Sequence, residues 1–192
     1  SKWEALNKYA AADNRKQEAK EETHEPDIML KCIVSIENRV RFYENDQPGD
    51  RDDFTRVKSE VRNIIANLSA KFNGENVIED NYVTSIEFPK LNHAARFAVE
   101  FFKDVSIYEE QLNNTNLIIA DKCSILSLSS EQEPNLSPFI QDVFEQTYDN
   151  EIIVNEPIKE RLEGEKYGFE FLGEKTLSKT GWSTALYKMT EL

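Results

Sequence analysis

Cysteine, histidine, glycine and proline are all scarce in this chain, and each shortage closes off a class of function. Two cysteines, Cys32 and Cys123, among 192 residues cannot build the disulfide framework of a small secreted domain. Buried reduced thiols and a cytoplasmic location are therefore expected. Two histidines, His24 and His93, fall in a linker and at a helix start without metal-ligand spacing, and both read as surface residues. The six glycines form no phosphate-cradling loop, and neither a nucleophile elbow nor a Cys-x-x-Cys pair is present. No apolar run approaches the roughly 18 residues of a membrane span, and no charged-then-apolar leader opens the chain, so no membrane contact is expected. Basic residues are outnumbered by acidic ones, 23 to 36, for a net charge of −13. Such a balance repels a phosphate backbone, and with no basic patch to override it nucleic acid is not a favoured partner. A well-solvated acidic surface accounts for most of the charge, although it does not exclude a nucleotide carried with magnesium.

What is present is enough apolar material, 39% with 11 Phe and 7 Tyr, to fill one two-layer core. Residues 1–26 read as an extension. A helix over 3–22 carries Trp3, Leu6, Tyr9 and Ala10 on one stripe, fades into charge, and is broken by Thr23 to Pro26. It is either the tail of a longer signalling helix or a segment packed on the domain's own surface. Residues 27–192 read as one domain. Ile28 to Ile36 is a near-continuous apolar run, expected as a central strand covered on both faces. After an acidic loop, Asp52 and Asp53 open a helix with Phe54, Val57, Val61, Ile64, Ile65, Leu68 and Phe72 on one side. Val77 to Phe88 predicts a hairpin turning through Glu79 to Tyr82. Asn92 is placed to cap a second helix carrying Ala94, Phe97, Ala98, Phe101 and Val105, which leads to a strand over Asn116 to Ala120. Strand, helix, hairpin, helix, strand is a ferredoxin-like βαββαβ palm, so the fold class is α+β. Beyond it come a polar loop from Ser127 to Pro138 and a short helix with Phe139, Val143 and Phe144. A buried-type strand at Ile152 to Val154 follows, then a helix Glu156 to Leu162 with Asn155 placed to cap it and Pro157 in its first turn. Two further strands close the chain.

The order of these elements resembles the class III adenylate/guanylate cyclase family, and the tail carries the resemblance best. Asn150-Glu-Ile-Ile-Val-Asn155 is similar to the family's Gly-x-Ile-x-Val-Ser strand, and Ile158 to Leu162 to the helix after it. Phe169-Glu-Phe-Leu-Gly173, Leu177-Ser-Lys-Thr-Gly181 and Leu186-Tyr-Lys188 resemble the closing Phe-x-x-Leu-Gly, Leu-Lys-Gly and Val-Tyr pattern. The likeness spans about residues 28–189.

The resemblance implies a frame whose catalytic positions are altered. Family members hold two magnesium ions on two carboxylates, one in the first strand and one in the hairpin. Aligning Ile33-Val-Ser-Ile36 on Phe-x-Asp-Ile puts Ser35 at the first metal position, and aligning back from Phe88 puts Asn81 and Tyr82 on the Gly-Asp pair, with Tyr82 at the second. A register slip would bring Glu37 or Asp80 there instead. The family's Asn-x-x-x-Arg falls on Pro138 and Asp142, a carboxylate where the transition state needs a cation. Glu79 and Asp80 stand near the base-reading lysine, and Ile119 to Cys123 replaces Gly-Ile-x-x-Gly. The expectation is an inactive cyclase-homology domain, a regulatory or dimerisation module in signalling, with no cofactor and with no catalytic or metal residue. Asn81, Tyr82 and Phe102 are its candidate contact residues. It is expected to pair as a homodimer or with another cyclase-type domain. The alternative is a divergent cyclase using magnesium or manganese, alone or with a complementing chain. A third reading keeps nucleotide or small-ligand binding without turnover. Diguanylate cyclases share the palm, but their Gly-Gly-Asp/Glu-Glu-Phe hairpin is absent from Glu79 to Val83.

Overall fold

A strand buried on both faces organises the domain. In the computed structural model, whose described residues are 31–45, 47–129, 136–164, 166–176, 181 and 183–192, β1 (Lys31–Glu37) lies near the middle of a seven-stranded sheet. The expected N-terminal helix at 1–26, the first residues of the first strand and positions 177–180 of the closing pattern lie outside the described residues. Alternation along β1 divides the core in two. Cys32, Val34 and Ile36 join the larger cluster, and Ile33 joins the smaller one on the opposite face.

The larger cluster is closed by two long helices. In α1 (Asp50–Lys71), Val57, Val61, Ile65 and Leu68 are buried at helical spacing, and Asp50, Asp52 and Asp53 place negative charge in the first turn, where the helix dipole favours it. The helix starts two residues earlier than the sequence suggests, with Gly49 as N-cap at φ 88. In α2 (Leu91–Glu110) the N-cap is Lys90, so Asn92 sits within the first turn and not before it. Its buried face is Ala94, Ala95, Phe97, Ala98, Phe101 and Val105. Between the helices, β3 (Glu75–Asp80) and β4 (Val83–Phe88) form the expected hairpin.

The last strand of the palm is not where the sequence places it. Leu117–Ile119 (β5) pairs with Val40–Phe42 (β2), a strand inside the segment read as an acidic loop, and the two form a separate ribbon. The palm is completed by β6 (Lys122–Leu128), antiparallel to β1, whose last two residues fall in the stretch read as the polar loop. Its serines and lysine hid it. Every residue of β6 is buried, so its polar side chains face protein, and a period based on apolarity cannot detect them. The palm thus runs β1-α1-β3-β4-α2-β6, with strands in the order β3-β4-β1-β6. Three strands extend the sheet beyond β6: β7 (Ile152–Asn155), parallel to β6, then β9 (Ser183–Glu191) and β8 (Tyr167–Thr176).

Two short helices finish the layers. The first, α3 (Leu136–Glu145), takes Pro138 into its first turn and covers the second face with Phe139, Ile140, Val143 and Phe144. The second, α4 (Glu156–Leu162), has the expected bounds and sends Ile158 and Leu162 into the larger cluster. Asn155 occupies its N-cap position, but the side chain makes no cap bond. Instead its Nδ2 donates to the Ser127 carbonyl at 2.9 Å and its Oδ1 accepts the Ser127 N–H at 3.1 Å, tying β7 to β6. No helix among the described residues is long and apolar enough to cross a membrane.

Candidate functional site at the strand and hairpin junction

The hairpin turns through two residues only, Asn81 at φ 46 and Tyr82 at φ 70, the left-handed pair that a two-residue turn between twisted strands requires. Asparagine tolerates that region; tyrosine rarely adopts it. The turn is held by the neighbouring strand end, where the Asn38 N–H donates to the Tyr82 carbonyl at 3.0 Å. The Tyr82 side chain is 71% exposed, and Lys58 of α1 places its ammonium 4.4 Å from the ring centre.

Ser35 lies deeper, fully buried on the α3 face of the sheet. Its Oγ is 2.9 Å from Ser85 Oγ on β4. Strand register places Ser124 of β6 directly across from Ser35 on the other side, so three serines form one row across the sheet. One step toward the turn, the row reads Lys122, Glu37, Val83, Asp80. Lys122 donates to the Phe144 carbonyl at 2.5 Å, Glu37 pairs with Arg39 at 3.2 Å, and Ser137 Oγ is 3.4 Å from Asp80 Oδ2. Both ends of α3 therefore reach this row. Pro138 and Asp142 lie on the helix between them, with Asp142 buried. The structure thus brings Ser35, Asn81, Tyr82 and the helix bearing Pro138 and Asp142 to one end of the palm.

Phe102 lies elsewhere. Half-buried on α2, it lines a shallow groove of about 240 Å³ with Val99, Ile152 and Met189, across β1 and β6 from the hairpin. The groove's rim charges are paired, Lys103 with Glu191 and Lys188 with Glu151.

Two charged groups at the junction carry no signal in the sequence. Lys58 sits on the α1 surface as one lysine among many, and Asp121 follows β5 in a segment that reads as a strand end. Asp121 is fully buried, accepts the Arg39 N–H at 2.7 Å on Oδ1, and has no partner at Oδ2 among the described residues. Burial above all pushes its carboxyl up to about 7, against the pull of that N–H and of Lys58. Burial also lowers Lys58, while Asp121 and Glu37 hold it up against Arg62 and Arg39. Only a buried aspartate with half its acceptors met would have been a cue, and burial is a tertiary property.

No protein-family model matches the sequence, and no curated protein matches it. Solved structures do. The adenylyl cyclase CyaB from P. aeruginosa superposes with a TM-score of 0.66 at 10% identity, covering 85% of this chain and 95% of that one. The guanylate cyclase domain of RhGC from Catenaria anguillulae, solved with GTP, gives 0.60 at 9% identity over 85% and 97%. The dimeric guanylyl cyclase domain of the RhoGC fusion protein from Blastocladiella emersonii gives 0.56 at 10% identity over 84% and 97%. At this level of identity the likeness is one of architecture: the described chain has the fold of class III adenylate and guanylate cyclase domains.

Proposed function

We propose that this domain uses the cyclase fold for binding and regulation without making a cyclic nucleotide. The observation that carries the reading is the Ser35–Ser85 hydroxyl pair. A cyclase of this fold needs anionic oxygens at the first strand and at the hairpin to neutralise two magnesium ions. Ser35 offers a neutral hydroxyl already engaged at 2.9 Å, and Tyr82 offers a phenol turned to solvent. These two side chains do not fit a pair of magnesium ions. The charged group that touches both the end of β1 and the turn is cationic, Lys58, bonded at 2.7 Å to the Asn38 carbonyl.

The role is that of a cytoplasmic pairing module in signalling, joined to a second copy or to another cyclase-type domain. The fold supports this, since the RhoGC domain of the same architecture is dimeric. The exposed turn at Asn81 and Tyr82 and the Phe102 groove are the surfaces offered to a partner. The decisive experiment incubates purified protein with ATP or GTP and either magnesium or manganese. Product at the level of a heat-killed control supports the reading, and turnover above it overturns it. Sedimentation velocity across a concentration series tests pairing.

A second reading is favoured by one row of the sheet. Glu37 and Asp80 flank Val83 in register on β1 and β3, two strand spacings apart or about 10 Å between backbones. Both side chains stand on the same face of the sheet, which offers a divergent cyclase one candidate carboxylate pair. If activity were found, Glu37→Gln and Asp80→Asn would each abolish it under this reading.

A further inference from the structure

One peptide group, between Asn38 and Arg39, is held at both ends by partly or wholly buried charge. Its carbonyl oxygen accepts from Lys58 Nζ at 2.7 Å, and its N–H donates to Asp121 Oδ1 at 2.7 Å. The same segment holds the hairpin, because the Asn38 N–H donates to the Tyr82 carbonyl and the Lys58 ammonium lies against the Tyr82 ring. Asp121 therefore sits behind a peptide whose other end carries the group that clamps the turn. We propose that the charge on Asp121 sets how firmly Lys58 clamps the hairpin turn to β1, tightly when the carboxylate is ionised and loosely when it is neutral.

The physical basis is twofold. A carboxylate on the N–H and an ammonium on the C=O polarise the peptide in the same direction, so each hydrogen bond strengthens the other. The opposite charges also attract directly across a poorly solvated space, which draws Lys58 inward. Neutral Asp121 supplies neither effect, and Lys58 is then retained by the carbonyl and the aromatic face alone. The groups that face this pair come from every neighbouring element. Lys58 and Arg62 project from α1, Glu37 and Arg39 flank the end of β1, Glu109 stands on α2, and Cys123 follows on β6. Glu37 and Glu109 oppose ionisation, Lys58 and the Arg39 N–H favour it, and burial against the charge brings the transition to about pH 7. The unpartnered Oδ2 fits a group poised between two states. Tyr82, the exposed residue of the turn, is thus fixed above neutral pH and freed below it.

Amide exchange by NMR from pH 5.5 to 8.5, corrected for the intrinsic rate, tests this at Asn38, whose N–H closes onto the turn. Protection is expected to rise about tenfold with a midpoint near 7, the size of effect one unit of coupled titration produces. Asp121→Asn should hold Asn38 at the low-pH level throughout. Lys58→Met should do the same while the Arg39 amide shift still titrates, which separates the clamp from the titration. A flat protection profile in the unmodified chain overturns the proposal, as does a pH-dependent rise that survives Lys58→Met. If Asp121→Asn does not fold, the Lys58→Met comparison decides alone.

Discussion

The hydroxyls of Ser35 and Ser85 meet at 2.9 Å between β1 and β4, and Ser124 continues their row on β6 with its own Oγ unpartnered among the described residues. Branched apolar side chains would fill this interior row without any polar cost. The chain instead keeps small hydroxyls there, beneath a helix that spans the same face, and the outcome is a polar seam inside the palm.

That seam should respond asymmetrically to substitution. Ser35→Ala strips the partner from Ser85 and should cost about 1–2 kcal/mol, the penalty for a buried polar group left unmet. Ser35→Ala with Ser85→Ala should cost less than the sum of the two single changes, because no orphan remains. Ser35→Asp replaces a satisfied hydroxyl with a buried carboxylate and should cost several kcal/mol. Urea unfolding of the unmodified chain, Ser35→Ala, Ser85→Ala, the double variant and Ser35→Asp measures all three effects, and additive single and double costs would show that the hydroxyls act independently.

The buried Asp121 gives stability a pH dependence of unusual sign. Its carboxyl lies at about 7 in the fold against an ordinary value of 3.8, so between those values the folded chain binds more protons than the unfolded one. Its contribution is therefore complete below about pH 4 and is lost as pH rises to about 7, the reverse of a salt-bridged aspartate. From pH 5 to pH 8 the unmodified chain should lose about 2 kcal/mol that Asp121→Asn does not lose. Parallel urea titrations at the two pH values check the difference, and equal losses would place the Asp121 transition outside this window.

The layers were legible where one periodicity ruled alone. Val57, Val61, Ile65 and Leu68 gave α1, and Ile152 to Val154 with Glu156 to Leu162 gave β7 and α4, because each run exposes a single repeating face or is continuously apolar. The palm's last strand was missed because Lys122, Ser124 and Ser127 are buried polar residues satisfied or tolerated by tertiary neighbours, and no local rule registers that. In the separate ribbon, Leu117–Ile119 lies within the strand expected over Asn116 to Ala120, whereas its partner Val40–Phe42 escaped for another reason: a three-residue strand carries too little pattern to stand out from a loop. At the junction, Ser35 and Tyr82 were reached through resemblance, whereas Lys58 and Asp121 became visible only once the chain had closed around the 38–39 peptide.

Asn155 shows how a capping signal was diverted. Its amide faces the Ser127 backbone with both functions used, at 2.9 and 3.1 Å, and so acts as a rung between parallel strands β6 and β7. Asn155→Ala should cost about 2–3 kcal/mol, two buried backbone groups losing their partners. Asn155→Asp should be worse at neutral pH, because a carboxylate oxygen would replace the donor facing the Ser127 carbonyl, and should recover in acid as that oxygen gains a proton. A cap role would give the opposite order, since Asp caps as well as Asn. Thermal unfolding of the two variants at pH 4.5 and 7.5 separates the roles.

Gly74 is required by space and not by backbone conformation. It connects α1 to the hairpin with its N–H on the Ser69 carbonyl at 2.8 Å. A Cβ there would stand 2.6 Å from both Ile86 Cγ2 and Ser69 Oγ, closer than packed atoms approach. Ile86 is a fully buried β4 side chain, so it cannot turn aside without disturbing the core. Gly74→Ala should therefore destabilise the chain by about 1–3 kcal/mol, the cost of forced overpacking. Gly74→Ala combined with Ile86→Leu, which removes the β-branch methyl Cγ2 from the crowded wall, should recover part of that loss, even though Ile86→Leu alone destabilises by about 1 kcal/mol. Denaturant midpoints of the single and double variants test the coupling, and a double variant no better than the sum of its parts would show that the strain lies at Ser69 instead.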